Sequence, residues 1–228
     1  MDRVLNGKKI IEATVESGTA RLSASSRLGD PTPELCDLRG EGIVDFRGDR
    51  VWMTDRVVTA RMSQASRATT SWLGRPFLPL VQRLSERLFL GGEQELLYEG
   101  GAVRQRDGSG WKPPSEPVSQ PKYPRHPLSA LHPLEHAEHF HRLDDGGPVR
   151  GHNTEKVSTE LASHMFDASV WKEIQGSSDP QNPPVAAIVW IDDRLRLRRL
   201  AFEGSRASEG TLWCITDFWE FGVQVPEG

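Results

Sequence analysis

The sequence predicts an α+β fold in which a bent antiparallel β-sheet carries helices over its concave face. Two apolar runs, at 185–191 and 195–202, flank the acidic pair at 192–193, a pattern typical of a β-hairpin with a tight turn. The apolar positions shift by one residue at 198–199, which indicates a β-bulge and therefore a bend. Other strand-like segments follow one another with short turns, as they do in an antiparallel sheet.

The two arms of this hairpin differ in the distribution of their apolar residues. The first arm, 185–191, is apolar at every position, so we expect both of its faces to be covered. The second arm alternates arginine with leucine from Arg194 to Leu197, which predicts one face in water and one in the interior. A bent sheet of this kind, with helices over one face, would leave room for an apolar ligand between the sheet and its cover.

The N-terminal half of the chain carries signals for one helix and several strands. Loosely helical spacing of apolar residues predicts a helix over 2–15, and strict alternation predicts a half-buried strand over 19–28. Two more strands within 41–57 are joined by a turn at 47–49. The remaining predicted elements of this half are an amphipathic helix over 80–89, a hairpin that turns at 99–101 and a short strand at Trp111.

A proline-rich segment separates the two halves. It contains six prolines between 113 and 127, a density that excludes a helix or a central strand. Because the strands on either side share one style of alternation, we interpret it as a long loop within a single domain, 1–228, in preference to a linker. Beyond it, the sequence predicts helices over 127–138 and 167–175 and strands over 139–143, 149–162, 185–191, 195–203 and 211–221.

Composition limits the classes of function. The net charge of −4 and the pI near 6.0 argue against nucleic acid or an anionic membrane surface as the main partner. No apolar stretch approaches the roughly 18 residues of a transmembrane segment, and the N-terminus lacks a signal-peptide core. We expect a cytoplasmic protein, or an envelope or secreted one if a leader has been removed. For Cys36 and Cys214, free thiols are favoured over a disulfide.

Several segments, in this order, resemble the actinobacterial LppX/LprG group of the LolA-like lipoprotein carriers. Together they span nearly the whole chain; they lie at 16–23, 40–46, 108–112, 148–161, 189–200 and 216–225. The resemblance implies a strongly curved antiparallel half-barrel with helices over its concave side and an apolar cavity between them. It also implies the carriage of lipids or lipid-like molecules without chemistry on them.

The sequence departs from that family at three places. The lipobox cysteine and the leader are absent, and the proline-rich segment at 113–127 is unusually long. Where the family pattern leads us to expect an aromatic residue after V-R-G, this chain has Lys156 or Val157.

The seven histidines all lie between 126 and 164. His132 and His136 are four residues apart, a spacing that zinc sites use on helices, but Pro133 interrupts the helix and no H-E-x-x-H motif is present. We therefore favour solvated or partly buried histidines, and we expect neither a metal nor a cofactor. The arginines at 194–199 are interpreted as a wet strand face paired with acidic neighbours such as Glu203, in preference to a nucleic-acid surface.

The primary hypothesis is a non-enzymatic carrier or sensor of a lipid-like ligand, bound in an apolar cavity. Broad apolar walls with few polar groups suit such a ligand, and tryptophan is frequent in the predicted strands. The predicted ligand-binding wall consists of Leu22, Ala24, Phe46, Met53, Ile188, Trp190, Leu200, Phe202 and Trp213.

Two alternative functions remain open from the sequence. An enzyme using the same cavity, such as a cyclase acting on a flexible apolar natural product, would rely on His139, His141 and Asp144 as its polar groups. A protein-interaction module would instead use the proline-rich loop at 113–127 as its recognition segment. No G-x-S-x-G motif or phosphate-binding glycine loop is present to add a further enzyme class.

Overall fold

A computed structural model describes most of the strands and two helices of the chain. The residues that it describes are 5–28, 38–56, 94–99, 102–107, 109–113, 131–143, 147–166, 168, 171, 183–207 and 210–226. The helices are α1, Gly7–Glu16, and α2, Leu131–Glu135, with a 3-10 turn at Ser163–Met165. The strands are β1 Thr19–Leu28, β2 Leu38–Asp45, β3 Arg50–Arg56, β4 Gln94–Glu99, β5 Ala102–Asp107, β6 Gly110–Trp111, β7 His141–Leu143, β8 Glu155–Leu161, β9 Val185–Ile191, β10 Leu197–Ala207 and β11 Gly210–Trp219.

The described strands form one open antiparallel sheet in the order β6-β5-β4-β3-β2-β1-β11-β10-β9-β8-β7. Strands β1 to β6 form one meander and β7 to β11 form another, each with neighbours in sequence order. Pairing of β1 with β11 joins the two meanders, for example where Leu22 lies opposite Phe218. The antiparallel sheet predicted from the sequence is therefore confirmed, with β6 and β7 at its edges.

One face of the sheet, here called the covered face, carries the hydrophobic core. Leu22, Leu200 and Phe202 project from it and are at most 1% exposed. Ile10 of α1 belongs to the same buried cluster, as does Leu134 of α2. Because side chains alternate along a strand, the residues between these positions lie on the opposite side, here called the outer face.

Helix α1 begins and ends where local capping groups require it. The Asn6 side chain accepts a hydrogen bond from the backbone N–H of Lys8 at 2.8 Å, so the helix starts later than the predicted range of 2–15. At its other end the backbone N–H of Gly18, a residue with a φ of 78°, donates to the Val15 carbonyl. These caps fix the helix just before β1.

The two helices approach each other at Gly7. Its backbone N–H donates to the carbonyl oxygen of Ala137 at 3.0 Å, and a Cβ at this position would lie 1.8 Å from the carbonyl oxygen of Leu134. Only glycine permits so close an approach of the two backbones. Gly7 thereby positions α2 and the segment that follows it.

The β9–β10 hairpin confirms the predicted bulge and corrects two details. The register shifts between Leu197 and Arg199, where the sequence pattern slips. However, β10 starts at Leu197 and not at Leu195, because Leu195 has a φ of 64° and lies within the turn. The predicted cover on both faces of β9 is also only partial, since Ala186 is exposed on the outer face and Trp190 is half-buried there.

Several predicted features fall wholly or largely outside the described residues. They are the helix over 80–89, most of the proline-rich loop at 113–127, most of the helix over 167–175, Asp144 and Cys36. Cys214 is a free, buried thiol, and burial raises its pKa to about 12. Among the described helices, none has the length and apolar character needed to cross a membrane.

Candidate functional site

A groove of about 1150 Å³ lies beside the edge of the sheet, where β7 begins. Strand β7 pairs only with Lys156–Ser158 of β8, whereas β8 continues to Leu161. The groove occupies the place beside the last residues of β8. The link between α2 and β7, the 3-10 turn and the start of β9 form its other walls. We call it the histidine groove, for the residues His136, His139, His141 and His164 that line it.

The apolar part of the histidine groove is continuous with the core. Leu5 lines the groove and is a member of the buried core cluster, with 8% exposure. Phe140 and Met165 also line it, and both are partly buried against that cluster. A ligand in the groove would therefore contact the rim of the core as well as solvent-facing groups.

The polar part of the groove consists of exposed imidazoles and a few charged groups. All four histidines are exposed, and among the described residues no hydrogen bond or ion pair is formed by their rings. Glu138 and Glu160 contribute negative charge, and Arg142 contributes positive charge. Arg142 is paired with Glu155, with Nε 2.5 Å from a carboxylate oxygen.

The described histidines do not form a metal centre. No group of three histidine, cysteine, aspartate or glutamate side chains within the described ranges has the geometry to hold a metal ion. His132 and His136, four residues apart on and after α2, contact each other through their rings, whose centroids are 4.9 Å apart.

The structure divides the nine residues of the predicted ligand-binding wall between the two faces of the sheet. None of the nine lines the histidine groove, and Met53 borders a smaller groove of about 460 Å³ next to Trp52 and Trp111. Those in the buried core cluster are Leu22, Ala24, Met53, Leu200 and Phe202, with Phe46 packed against it. Those on the outer face are Ile188, Trp190 and Trp213.

The packing between α1 and β10 is direct. Thr14 is fully buried, its hydroxyl donates to the Ile10 carbonyl at 2.7 Å, and the same oxygen accepts the backbone N–H of Leu197 at 2.9 Å. Leu200 and Phe202 of the same strand belong to the buried core cluster. Helix and strand are in contact there, so the ligand-binding role of the nine wall residues stays a prediction.

The outer face carries a cation–aromatic network that the sequence reasoning missed. Asp217 is buried and accepts two bonds from Arg199, to its two carboxylate oxygens, at 2.5 and 2.8 Å. Arg150 lies 3.6 Å from the same carboxylate and stacks on Trp219 at 4.3 Å. Arg199 and Lys156 both lie over the ring of Trp190. The ring of Trp190 is therefore already in contact with two cationic side chains of the protein.

A second buried charge cluster lies at the β9–β10 turn. Asp192 accepts hydrogen bonds from the side chains of Arg196 and Arg198, both at 2.9 Å, and both guanidinium groups stack on Phe221. Burial alone would raise the pKa of the Asp192 carboxyl, but the hydrogen bonds from Arg196 and Arg198 hold it below its usual range. We call these four residues the Asp192 cluster.

Sequence reasoning found part of the histidine groove. It singled out His139 and His141, which the structure places in the same groove. It did not connect them with His164 and Met165, which follow β8, or with Leu5. The feature of the sequence that could indicate this groove is the H-F-H triplet at 139–141. An aromatic residue between two alternating histidines indicates a strand with one apolar face.

No protein-family model matches the chain, and no curated protein is similar to it in sequence.

Proposed function

We propose that this protein binds a lipid-like hydrophobic ligand without acting on it chemically, and that the histidine groove is the binding site. The observation that carries the proposal is a groove of about 1150 Å³ whose apolar floor joins the core at Leu5, Phe140 and Met165. Ligand pockets are usually clefts of roughly 300–1,000 Å³ with apolar linings and a few polar groups. The groove is slightly larger than that range, and its apolar floor is bordered by a larger number of polar and charged side chains.

The open antiparallel sheet with helices on one face supports the same function. It agrees with the coarse features of the half-barrel that the resemblance to the LolA-like carriers implies. We propose that the finer features of that fold, including its curvature, also hold for this chain. Carriage of a lipid is then the function that both the sequence resemblance and the groove favour.

Burial of an alkyl chain supplies much of the free energy that such binding requires. Removing one CH₂ group from water contributes about 0.8 kcal/mol, so a chain of about 12 carbons gains roughly 10 kcal/mol before the cost of association. Micromolar affinity requires about 8 kcal/mol net. Since association itself costs several kcal/mol, the polar groups of the groove are needed to supplement the apolar contacts.

Titration with a neutral single-chain probe, decyl maltoside below its micelle concentration, tests the site by calorimetry. We expect Phe140→Ala to weaken binding about tenfold, because it removes the largest apolar side chain of the groove floor. Phe46→Ala is the matched control, since Phe46 is also partly buried against the core but does not line the groove. Trp190→Ala tests the outer-face position among the predicted wall residues.

Three results of this experiment would count against the proposal. If the probe does not bind to the unmodified protein, the proposed lipid-binding function is wrong. Loss of binding in Phe46→Ala or Trp190→Ala, with Phe140→Ala unchanged, moves the ligand to the wall predicted from the sequence. Equal losses in all variants indicate a general loss of structure, which thermal unfolding of each variant checks.

A second candidate function is an enzyme that uses the same groove. The observation that favours it is that His139 and His141 both line the groove together with Glu160, so acid–base groups face any bound ligand. Incubating a total lipid extract with the protein and with a His139→Gln, His141→Gln variant, followed by mass spectrometry of the extract, tests it. A new product formed only by the unmodified protein supports this candidate, and an unchanged extract contradicts it.

A further inference from the structure

Four of the seven histidines in the chain line one groove, although they come from two separate segments. His136, His139 and His141 lie between α2 and the start of β7, and His164 lies in the 3-10 turn after β8. Their rings are exposed and, within the described part of the chain, have no hydrogen-bonding or ion-pair partner. These imidazoles are therefore available to a ligand.

The charge of the groove depends on these four rings. The other charged groups that face it are Glu138 before β7, Arg142 on β7 and Glu160 on β8, whereas the lining residues of β9 are uncharged. With neutral imidazoles, one arginine and two glutamates give a formal charge of −1, and four added protons change it to +3. Histidine is the side chain whose charge changes between pH 5 and 8.

We infer that the ligand of this groove is a single-chain anionic amphiphile, whose acidic head group is bound by the protonated imidazoles. The inference rests on the proposed function, because the apolar chain of the amphiphile would lie on Phe140 and Met165 at the rim of the core. An imidazolium donates two hydrogen bonds and carries a positive charge, and hydrogen bonds of this kind are stronger than neutral ones. Affinity for the anion therefore rises as the pH falls.

The experiment compares three probes with the same alkyl chain and different head groups. Decyl sulfate, decyl maltoside and decyltrimethylammonium are titrated into the full chain below their micelle concentrations, at about pH 5.5 and about pH 8. The sulfate ester stays ionised over this range, so a change in its affinity reports protonation of the protein. We expect decyl sulfate to bind about tenfold more tightly at the lower pH. The affinity of decyl maltoside stays constant, and decyltrimethylammonium does not gain affinity at the lower pH.

A variant with His139→Gln, His141→Gln and His164→Gln assigns the effect to the groove. Glutamine keeps hydrogen-bonding capacity but cannot become cationic, so the variant, in which only His136 of the four imidazoles remains, loses most of the pH dependence for decyl sulfate, and its binding of decyl maltoside stays independent of pH. His152→Gln is the matched control, because His152 is exposed in a turn and does not line the groove. It retains the full pH dependence. Circular dichroism of both variants confirms that they are folded.

The outcomes separate this inference from the proposed function. If decyl sulfate and decyl maltoside bind equally at both pH values, the anionic head group is wrong and the proposed function stands. If the full pH dependence of decyl sulfate binding persists in the triple variant, the anion binds elsewhere and the inference is also overturned. If decyl maltoside and decyl sulfate both fail to bind the unmodified protein, the proposed function fails together with it.

Discussion

The Asp192 cluster and the histidine groove are both rich in ionisable side chains, but only the cluster pairs them with one another. In the cluster, the carboxylate of Asp192 holds Arg196 and Arg198, and the side chains of Asp192 and Arg198 are each 4% exposed. In the groove, four imidazoles are exposed and make no such contacts with described residues. A side chain that is already paired and buried stabilises the fold, whereas an unpaired exposed one remains able to bind a ligand.

This difference also bears on the arginine run at 194–199, which the sequence predicts to be a wet strand face paired with acidic residues. Three of these arginines are paired with Asp192 or Asp217, but Arg198 is buried and does not lie on a wet face. The cluster is not fully compensated, because two guanidinium groups share the carboxylate of Asp192 and the Nη1 atom of Arg198 is buried without a hydrogen bond. Such a site depends strongly on its single carboxylate.

Replacement of Asp192 by asparagine is expected to have the largest effect on stability. The substitution leaves Arg198 buried without its counter-ion, and breaking a buried pair in this way costs about 3 kcal/mol or more. Urea denaturation measures the loss in the free energy of unfolding. Asp193→Asn is the matched control, since Asp193 is adjacent but exposed, and a loss as large as that of Asp192→Asn would contradict the assigned role.

The pH dependence of stability provides a second measurement on Asp192. Its pKa is lowered in the folded protein, so its contribution is fully present above the pKa of an unfolded aspartate, about 3.9. The contribution is lost as the pH falls through the lower, folded value. The unmodified protein should therefore lose stability in acid more steeply than Asp192→Asn, and parallel curves would contradict this.

Replacement of Thr14 by valine is expected to have an intermediate effect. Valine has nearly the same shape but leaves the buried backbone N–H of Leu197 without its acceptor, which costs about 2 kcal/mol. Thr14→Ser keeps the hydroxyl and removes only a methyl group, so it should lose less stability in the same urea titration. An equal loss in the two variants would mean that packing of the methyl group, and not the hydrogen bond, joins α1 to β10.

The strands could be predicted from the sequence because their signals are local. Alternation identified β1, and the slip at 198–199 identified the bulge in β10. Pairing of β1 with β11 has no local signal, since it joins residues from opposite ends of the chain. The sequence does not reveal the partners of Asp192 for a related reason. The register shifts at the bulge, so Arg198 departs from the alternating pattern and donates a hydrogen bond to Asp192 in the turn.

The candidate site was predictable only in part. The short segment that contains His136, His139 and His141 stands out in composition, and the structure brings these residues to one groove. The groove itself exists because β8 continues past Ser158, the partner of the first residue of β7, and because His164 and Leu5 reach the same place from elsewhere. Strand lengths at a sheet edge depend on tertiary contacts, which residue patterns do not record.

The smallest effect on stability is expected for the histidine groove itself, in the variant with His139→Gln, His141→Gln and His164→Gln. At about pH 8 its free energy of unfolding should differ from that of the unmodified protein by no more than about 0.5 kcal/mol, because exposed side chains without partners contribute little to folding. Urea denaturation measured together with Asp192→Asn provides the comparison. A loss approaching that of Asp192→Asn would show that the imidazoles hold the fold together, and the contrast between the paired cluster and the open groove would then be wrong.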